Sequence, residues 1–443
     1  MGLPLVSSAL IDLGEVPRAA PDGTLPAAVT QLPPRRHRTV LAVIAGLLAA
    51  MLSGAAHVAP PAAPRIVPAR LGDATFVSAD RLFVVSAGPA QVRNKVVRTY
   101  SLPAGALLSV TTVPATGQVR AVTAVAGQVL LSYQVDPFGA VATVAVADGT
   151  DRQVWYRRAR VLGVSRGLVL LREDNFDVGS LYWYGLDLAS GTVRWRLAQP
   201  IDGYTAATDV VDGFPRRLVS VDAAGRLVVR DSTTGSVVTA TRIPAPAAWA
   251  RDGAALWADG DLILVGDHST ASAYSLSRLT ERWRAPVDLY TSYVRTGCGD
   301  AICLFSQGAG GMVVLDRATG RVRWTTDRWS SAEQFGPYLL VGDGDRVGPD
   351  PAPDVVDRNT GRLRATLGPW QRVGATVPGG VLVLRSEPAA AAVRYGLVNP
   401  VTLRVRVLGA AEPVYDDCQT TPDVLVCRRI DASVGIWRLA RPA

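Results

Sequence analysis

The chain has 443 residues, 48% of them hydrophobic, which excludes global disorder and allows one large domain or two to three ordinary ones. Its formal net charge of +8 comes almost wholly from arginine, and the basic residues are scattered along the sequence. No element gathers them beside aromatic residues, so no nucleic-acid partner is expected.

Residues 1–38 are rich in Pro, Ala and small polar residues and read as a disordered cytoplasmic tail. Within them ALIDLGEVP, at 9–17, reads as an apolar patch, with a docking motif for a cytoplasmic partner as the alternative. Residues 39–58 follow as an expected transmembrane helix. From Val40 to Ala56 only Ser53 is polar and nothing is charged, which is enough to cross a bilayer. Arg35, Arg36 and Arg38 precede the segment, and Arg65 is the first basic residue after it. The positive-inside rule then places a single-pass protein in the cell membrane, with its N-terminus cytoplasmic and the remainder extracellular. A cleaved signal peptide, with Ser53 and Ala55 before the cut, is the alternative. Residues 59–70, APPAAPRIVPAR, read as a Pro/Ala linker, and residues 71–443 as the main domain.

That domain repeats itself. LDLASGTVRW (186–195), VRDSTTGSVV (229–238), LDRATGRVRW (315–324) and VDRNTGRLRA (356–365) each place an Asp four residues before a Gly. The pairs are Asp187 and Gly191, Asp231 and Gly235, Asp316 and Gly320, and Asp357 and Gly361. Weaker copies are YSLPAGALLS (100–109), VADGTDRQVW (146–155), YSLSRLTERW (274–283) and VNPVTLRVRV (398–407). The period of about 40–45 residues is that of four-stranded propeller blades.

One copy explains its own spelling. Runs such as GDLILVGD (260–267), GPYLLVGD (336–343) and GGVLVLRS (379–386) are buried strands bounded by turn residues. Asp accepts backbone N–H bonds inside the following turn, and Gly takes a positive φ. The next strand alternates and ends on a tryptophan that packs between blades: Trp155, Trp195, Trp283 and Trp324, with Trp437 ending a part-copy at 427–437. No segment after residue 60 shows helical periodicity. The fold expected is therefore all-β: an eight-bladed propeller, alternatively seven-bladed, preceded by the transmembrane helix and tail. The segment 413–441 is expected to complete a blade with the strands at 74–87, closing the ring.

The four cysteines fall as two local pairs, Cys298 with Cys303 and Cys418 with Cys427, each bracketing a turn between apolar runs. Two hairpin disulfides are expected, which fits an oxidising compartment.

The pattern LDxxTGxVxW resembles the repeat of the pyrroloquinoline-quinone-like propellers. That family holds the quinoprotein alcohol dehydrogenases and non-enzymatic relatives such as the outer-membrane assembly propeller lipoprotein. An anchor followed by such a propeller in an Arg/Ala-rich chain resembles membrane-anchored propellers of actinobacteria. The resemblance covers about residues 70–443 and implies the fold. The dehydrogenases have two adjacent cysteines against the quinone, which this chain lacks, and their calcium ligands do not map onto it. No cofactor is therefore expected.

Other constellations read as structure. GVSRG (163–167) matches a nucleophile motif but lies between two strand-like runs, so Ser165 belongs to a hairpin turn. His37 and His57 flank the expected membrane segment and cannot join His268 in one site. The loop 342–354 gathers Asp343, Asp345, Asp350 and Asp354 and could hold calcium, yet it does not match an EF-hand and reads as an exposed loop. In 172–184, Glu173, Asp174, Phe176, Asp177, Tyr182, Trp183 and Tyr184 read as blade-packing strand residues, with a partner-binding loop as the alternative.

The function expected is a non-catalytic binding or scaffold domain at the cell envelope, taking an envelope protein or small ligand on a propeller face. The alternatives are a quinone-dependent oxidoreductase or other propeller enzyme, and an envelope sensor signalling through its tail.

Overall fold

The structure is a computed structural model describing residues 63–439, apart from 79, 87–93, 137–138, 166, 176–179, 200–203, 247–248, 250–252, 296–297, 307–310, 343–352 and 378–379. Among these, 36 strands form nine four-stranded antiparallel sheets. Eight are continuous in sequence: blade 1 (74–114), blade 2 (119–157), blade 3 (160–198), blade 4 (204–242), blade 5 (255–285), blade 6 (292–326), blade 7 (331–366) and blade 8 (371–411). Blade 9 takes three strands from 414–438 and its fourth from Arg65–Val67. There Arg65 pairs with Ile436, Ile66 with Gly435 and Val67 with Val434.

The ring is thus a nine-bladed propeller, correcting the expected eight and its seven-bladed alternative. The eight repeat copies are the third-to-fourth-strand hairpins of blades 1–8. The part-copy 427–437 belongs to a ninth blade and not to a blade shared with 74–87. The strands at 74–87 already pair with Asn94–Ser101 and Leu107–Pro114 to complete blade 1. The closing strand comes from within the expected linker.

The reason strands read as unbroken apolar runs is burial on both faces. In Arg81–Val85, Leu82 and Val84 join a cluster with Val67, Val424, Val434 and Ile436 of blade 9. Phe83 and Val85 join the opposite cluster, with Val122, Val129 and Leu131 of blade 2. The period-2 alternation of a strand feeds two cores at once. Nine such clusters fill the gaps between consecutive blades, the ninth joining blade 9 to blade 1. First strands of neighbouring blades approach one another around the axis, Tyr204–Val211 with Ala255–Asp259 and Gln371–Val377 with Val414–Thr420. Fourth strands such as Val193–Ala198 and Val237–Arg242 are largely exposed and form the rim.

Among the described residues no helix is long and apolar enough to cross a membrane; the apolar runs are strands of at most eight residues. The expected single-pass placement in the cell membrane, with the propeller outside, therefore has no support. The segments read as a tail (1–38) and a transmembrane helix (39–58), with His37 and His57, lie outside the described residues.

Candidate functional site

Antiparallel order gives the ring two unlike faces. One carries the turns from first to second and from third to fourth strands, the other the connectors between blades and the turns from second to third strands. The repeat residues lie on the first, turn face. Asp316 Oδ1 accepts from the N–H of Ala318 (3.1 Å) and Thr319 (2.9 Å), while its Oδ2 meets Arg323 at 2.6 Å. Asp187 and Asp357 repeat the arrangement with Arg194 and Arg364, while Asp231 takes Arg217 from the second strand of its own blade. Arg194, with the Ser190 N–H and hydroxyl, holds the Asp187 carboxyl down to about 2. Asp316 is lowered chiefly by Arg323. For Asp231 and Asp357 partial burial pushes upward, but the turn N–H groups and the arginine outweigh it.

In the four clearest copies the repeat glycine meets a tryptophan of the preceding blade. Trp155 Nε1 donates to Leu188 O (2.9 Å), Trp195 to Thr233 O (3.0 Å), Trp283 to Arg317 O (3.0 Å) and Trp324 to Arg358 O (2.9 Å). The rings lie against Gly191, Gly235, Gly320 and Gly361 respectively. Trp437 differs: it stands on a third strand, buried between blades 8 and 9.

The turn face also holds arginines that reading the sequence missed. Arg317 reaches back to blade 5, donating to Asp259 Oδ2 (3.1 Å) and Asp259 O (2.6 Å). Arg358 lies 2.8 Å from Asp300 of blade 6. The signal was available, since both follow the repeat Asp directly. What was not legible is that their partners lie more than fifty residues upstream.

The cysteines form disulfides Cys298–Cys303 and Cys418–Cys427. The second joins facing strands; in the first, Cys298 stands in the turn before the strand holding Cys303. Ser165 ends one strand and Leu168 opens the next, and the two residues pair in antiparallel register. Of the 342–354 loop, Asp343, Asp345 and Asp350 lie outside the described residues. Asp354 is buried and meets Arg328 (2.7 Å), Thr366 and Trp329. Phe176 and Asp177, and the side chain of Asp174, are likewise outside the description. Tyr182 and Tyr184 pack in the cluster between blades 2 and 3, and Trp183 in that between blades 3 and 4. Burial and the bond to Glu173 push Tyr184 up to about 12. Among the described residues no three His, Cys, Asp or Glu side chains gather as a metal site.

The loop face is irregular. Twelve residues, 243–254, connect blades 4 and 5, against two between blades 2 and 3. Beside this connector lies a cavity of about 260 Å³ walled by Ile243, Pro246, Trp249, Asp267, Tyr274 and Arg284 among others. Next to it the His268 ring packs on Tyr290 (centroids 4.3 Å apart), with Asp288 3.7 Å from Nδ1. Tyr290 is 43% exposed.

No family model matches this chain, and no curated protein does. Among solved structures it is similar to BamB from Moraxella catarrhalis, with TM-score 0.44 and 14% identity over 85% of this chain and 99% of that one. It is similar to the computationally designed Ika8 protein (TM-score 0.41, 12% identity, 73% and 96% covered). It is also similar to the C-terminal WD40 domain of Sif2 (TM-score 0.42, 8% identity, 86% and 99% covered). These are likenesses of fold, and they bring no activity or partner to this chain.

Proposed function

We propose that the propeller is a non-catalytic binding domain that receives a protein partner on its loop face, around blades 4 to 6. The observation that carries this reading is the inequality of the two faces. On the turn face charges are engaged within and between blades: Asp187 with Arg194, Asp259 with Arg317, Asp300 with Arg358. Groups matched to each other in this way have little left for a partner. The loop face instead varies in connector length and exposes Tyr290 beside His268. Aromatic side chains on loops held by a rigid scaffold make good anchors.

The electrostatics favour binding over catalysis. The carboxylates with resolved shifts are lowered, and so stay ionised near neutral pH, while tyrosines such as Tyr184 and Tyr395 are raised. A general acid or base would sit near the working pH instead.

The test is capture of partners by crosslinking, comparing wild type with the loop-face variant His268→Ala/Tyr290→Ala and the turn-face variant Arg321→Ala/Arg362→Ala. A partner lost only with the loop-face variant supports the reading. Loss only with the turn-face variant, or substrate turnover by the purified protein alone, overturns it.

A further inference from the structure

Apolar side chains are unevenly exposed around the ring. Of the five most exposed large apolar side chains among the described residues, Val210 and Val401 stand singly on the turn face, in blades 4 and 8. The other three, Leu71 (88% exposed), Tyr415 (78%) and Ile430 (58%), all belong to the loop face where blade 9 meets blade 1. Leu71 stands in the connector 68–73 and Tyr415 near the start of the first strand of blade 9. Ile430 opens the turn 430–433 between the second and third strands of that blade.

One arginine gathers the three segments. Arg428 donates to the carbonyl oxygens of Arg70 (3.4 Å) and Asp73 in the connector, and of Ala432 (3.0 Å) in the turn. Its Nε lies 3.9 Å from Oδ2 of Asp417 on the first strand. In the sheet Val414 pairs with Arg429 and Asp416 with Arg428, which sets Tyr415 beside the same two arginines. The disulfide Cys418–Cys427 ties these two strands directly beyond. Three apolar side chains from three segments are thus held together on a fixed support. Single exposed apolar residues are ordinary on a protein surface, but a group of them marks a contact site, and tyrosine is a common anchor there.

The charge beside them selects the chemistry of a partner. Segments 68–73, 412–417 and 428–433 hold five acidic residues, Asp73, Glu412, Asp416, Asp417 and Asp431. They hold only three arginines, Arg70, Arg428 and Arg429, in a chain whose net charge is +8. The side chains of Arg428 and Arg429 are 12% and 15% exposed, whereas their partners Asp417 and Asp431 are 57% and 58% exposed. Both ion pairs therefore turn their negative ends to solvent. Glu412 is exposed as well, and Arg70 is the exposed cation among them. An anionic lipid surface would be repelled here, and a second copy seated face to face would set carboxylates against carboxylates. An apolar segment that carries cations matches both the side chains and the charge.

We propose that this seam of the loop face docks an apolar segment of a protein partner flanked by lysine or arginine. Leu71, Tyr415 and Ile430 cover its apolar side chains, and Glu412, Asp417 and Asp431 face its cations. The proposal rests on reading the loop face as the binding face and adds a contact of stated chemistry away from Tyr290.

Fluorescence anisotropy with the full chain tests it, using a labelled octapeptide of four leucines flanked at each end by two lysines. Control peptides carry glutamates in place of the lysines, or serines in place of the leucines. The lysine–leucine peptide should bind, both controls should bind at least about tenfold more weakly, and added NaCl should weaken binding. Leu71→Ser/Ile430→Ser and Tyr415→Ser should each weaken it about tenfold or more. Glu412→Gln/Asp431→Asn should weaken it and flatten the salt dependence. All these side chains are exposed, so the fold should survive, and near-ultraviolet circular dichroism checks that it does. Wild type that binds no peptide, binds the glutamate peptide equally well, or binds the same after the seam substitutions overturns the proposal. Self-association of wild type that Leu71→Ser/Ile430→Ser abolishes also overturns it, by giving the patch to a second copy. If the peptide fails while a captured partner is still lost with His268→Ala/Tyr290→Ala, only the seam site falls. If the peptide binds as described while captured partners are indifferent to His268→Ala/Tyr290→Ala, the contact around blades 4 to 6 falls instead.

Discussion

At Gly320 the backbone φ is +69°, and a Cβ there would lie 2.3 Å from Cε3 of Trp283. The positive φ alone does not explain the glycine. Leu279 and Leu403 hold the equivalent turn position at φ 54° and 55°. In those two cases the preceding blade ends its fourth strand without a tryptophan, carrying Thr239 and Ala365 at the docking position. Glycine is required where an indole must come close. Gly320→Ala should therefore destabilise by about 2–4 kcal/mol, from left-handed strain plus overpacking. Gly149→Ala, whose nearest neighbour is Ser109 Cβ at 3.9 Å, should cost only the backbone term of about 1–2 kcal/mol. Denaturant melts check both. In a Trp283→Leu background Gly320→Ala should lose most of its extra effect, and a coupling below about 0.5 kcal/mol would remove the docking explanation. The sequence reading found this glycine and this tryptophan separately. It assigned the glycine to φ because a turn is local, whereas the contact joins two blades.

At the scale of the hairpin, the repeat Asp links turn geometry to acid stability. Asp187, Asp316 and Asp357 have folded pKa values below the unfolded value of about 3.9. Their contribution is fully present above that value and is lost as pH falls through the folded values, which reach about 2 at Asp187. Thermal melts should hold steady from neutrality to about pH 5 and fall steeply between about pH 4 and 2. Asp316→Asn should flatten part of that fall; an unchanged acid profile would remove its assigned share. The disulfide Cys418–Cys427 ties the first two strands of blade 9, with Cys427 fully buried. Replacing both cysteines with Ala should destabilise the ring by about 2–4 kcal/mol, and a melt unchanged within error would show that the bond only decorates a blade already held by its core.

For the whole molecule, stability depends on joining the two ends of the propeller. Val67 is fully buried against blade 9 and blade 1, whereas its neighbour Ile66 is 54% exposed. Val67→Asp buries an unpaired charge at the junction and should cost more than about 3 kcal/mol. Hydrogen exchange should then rise first at Val434–Arg438, whose edge loses its partner strand. Ile66→Asp should be nearly neutral. Equal effects of the two would mean that closure contributes little.

The all-β class, the period of the blades, the turn residues and the two cysteine pairs were legible because each is set by neighbours in sequence. Alternation, positive φ and Asx turns act over fewer than ten residues. The number of blades was not legible. It turned on whether 414–438 closes on Arg65–Val67 or on 74–87, and three residues inside a Pro/Ala-rich stretch carry no local strand signal. Partners of Arg317 and Arg358, the glycine-to-indole contacts and the cavity beside Trp249 were equally hidden. Each is made by residues of different blades or of a connector folding back on one, and only the packing of sheet against sheet brings them together.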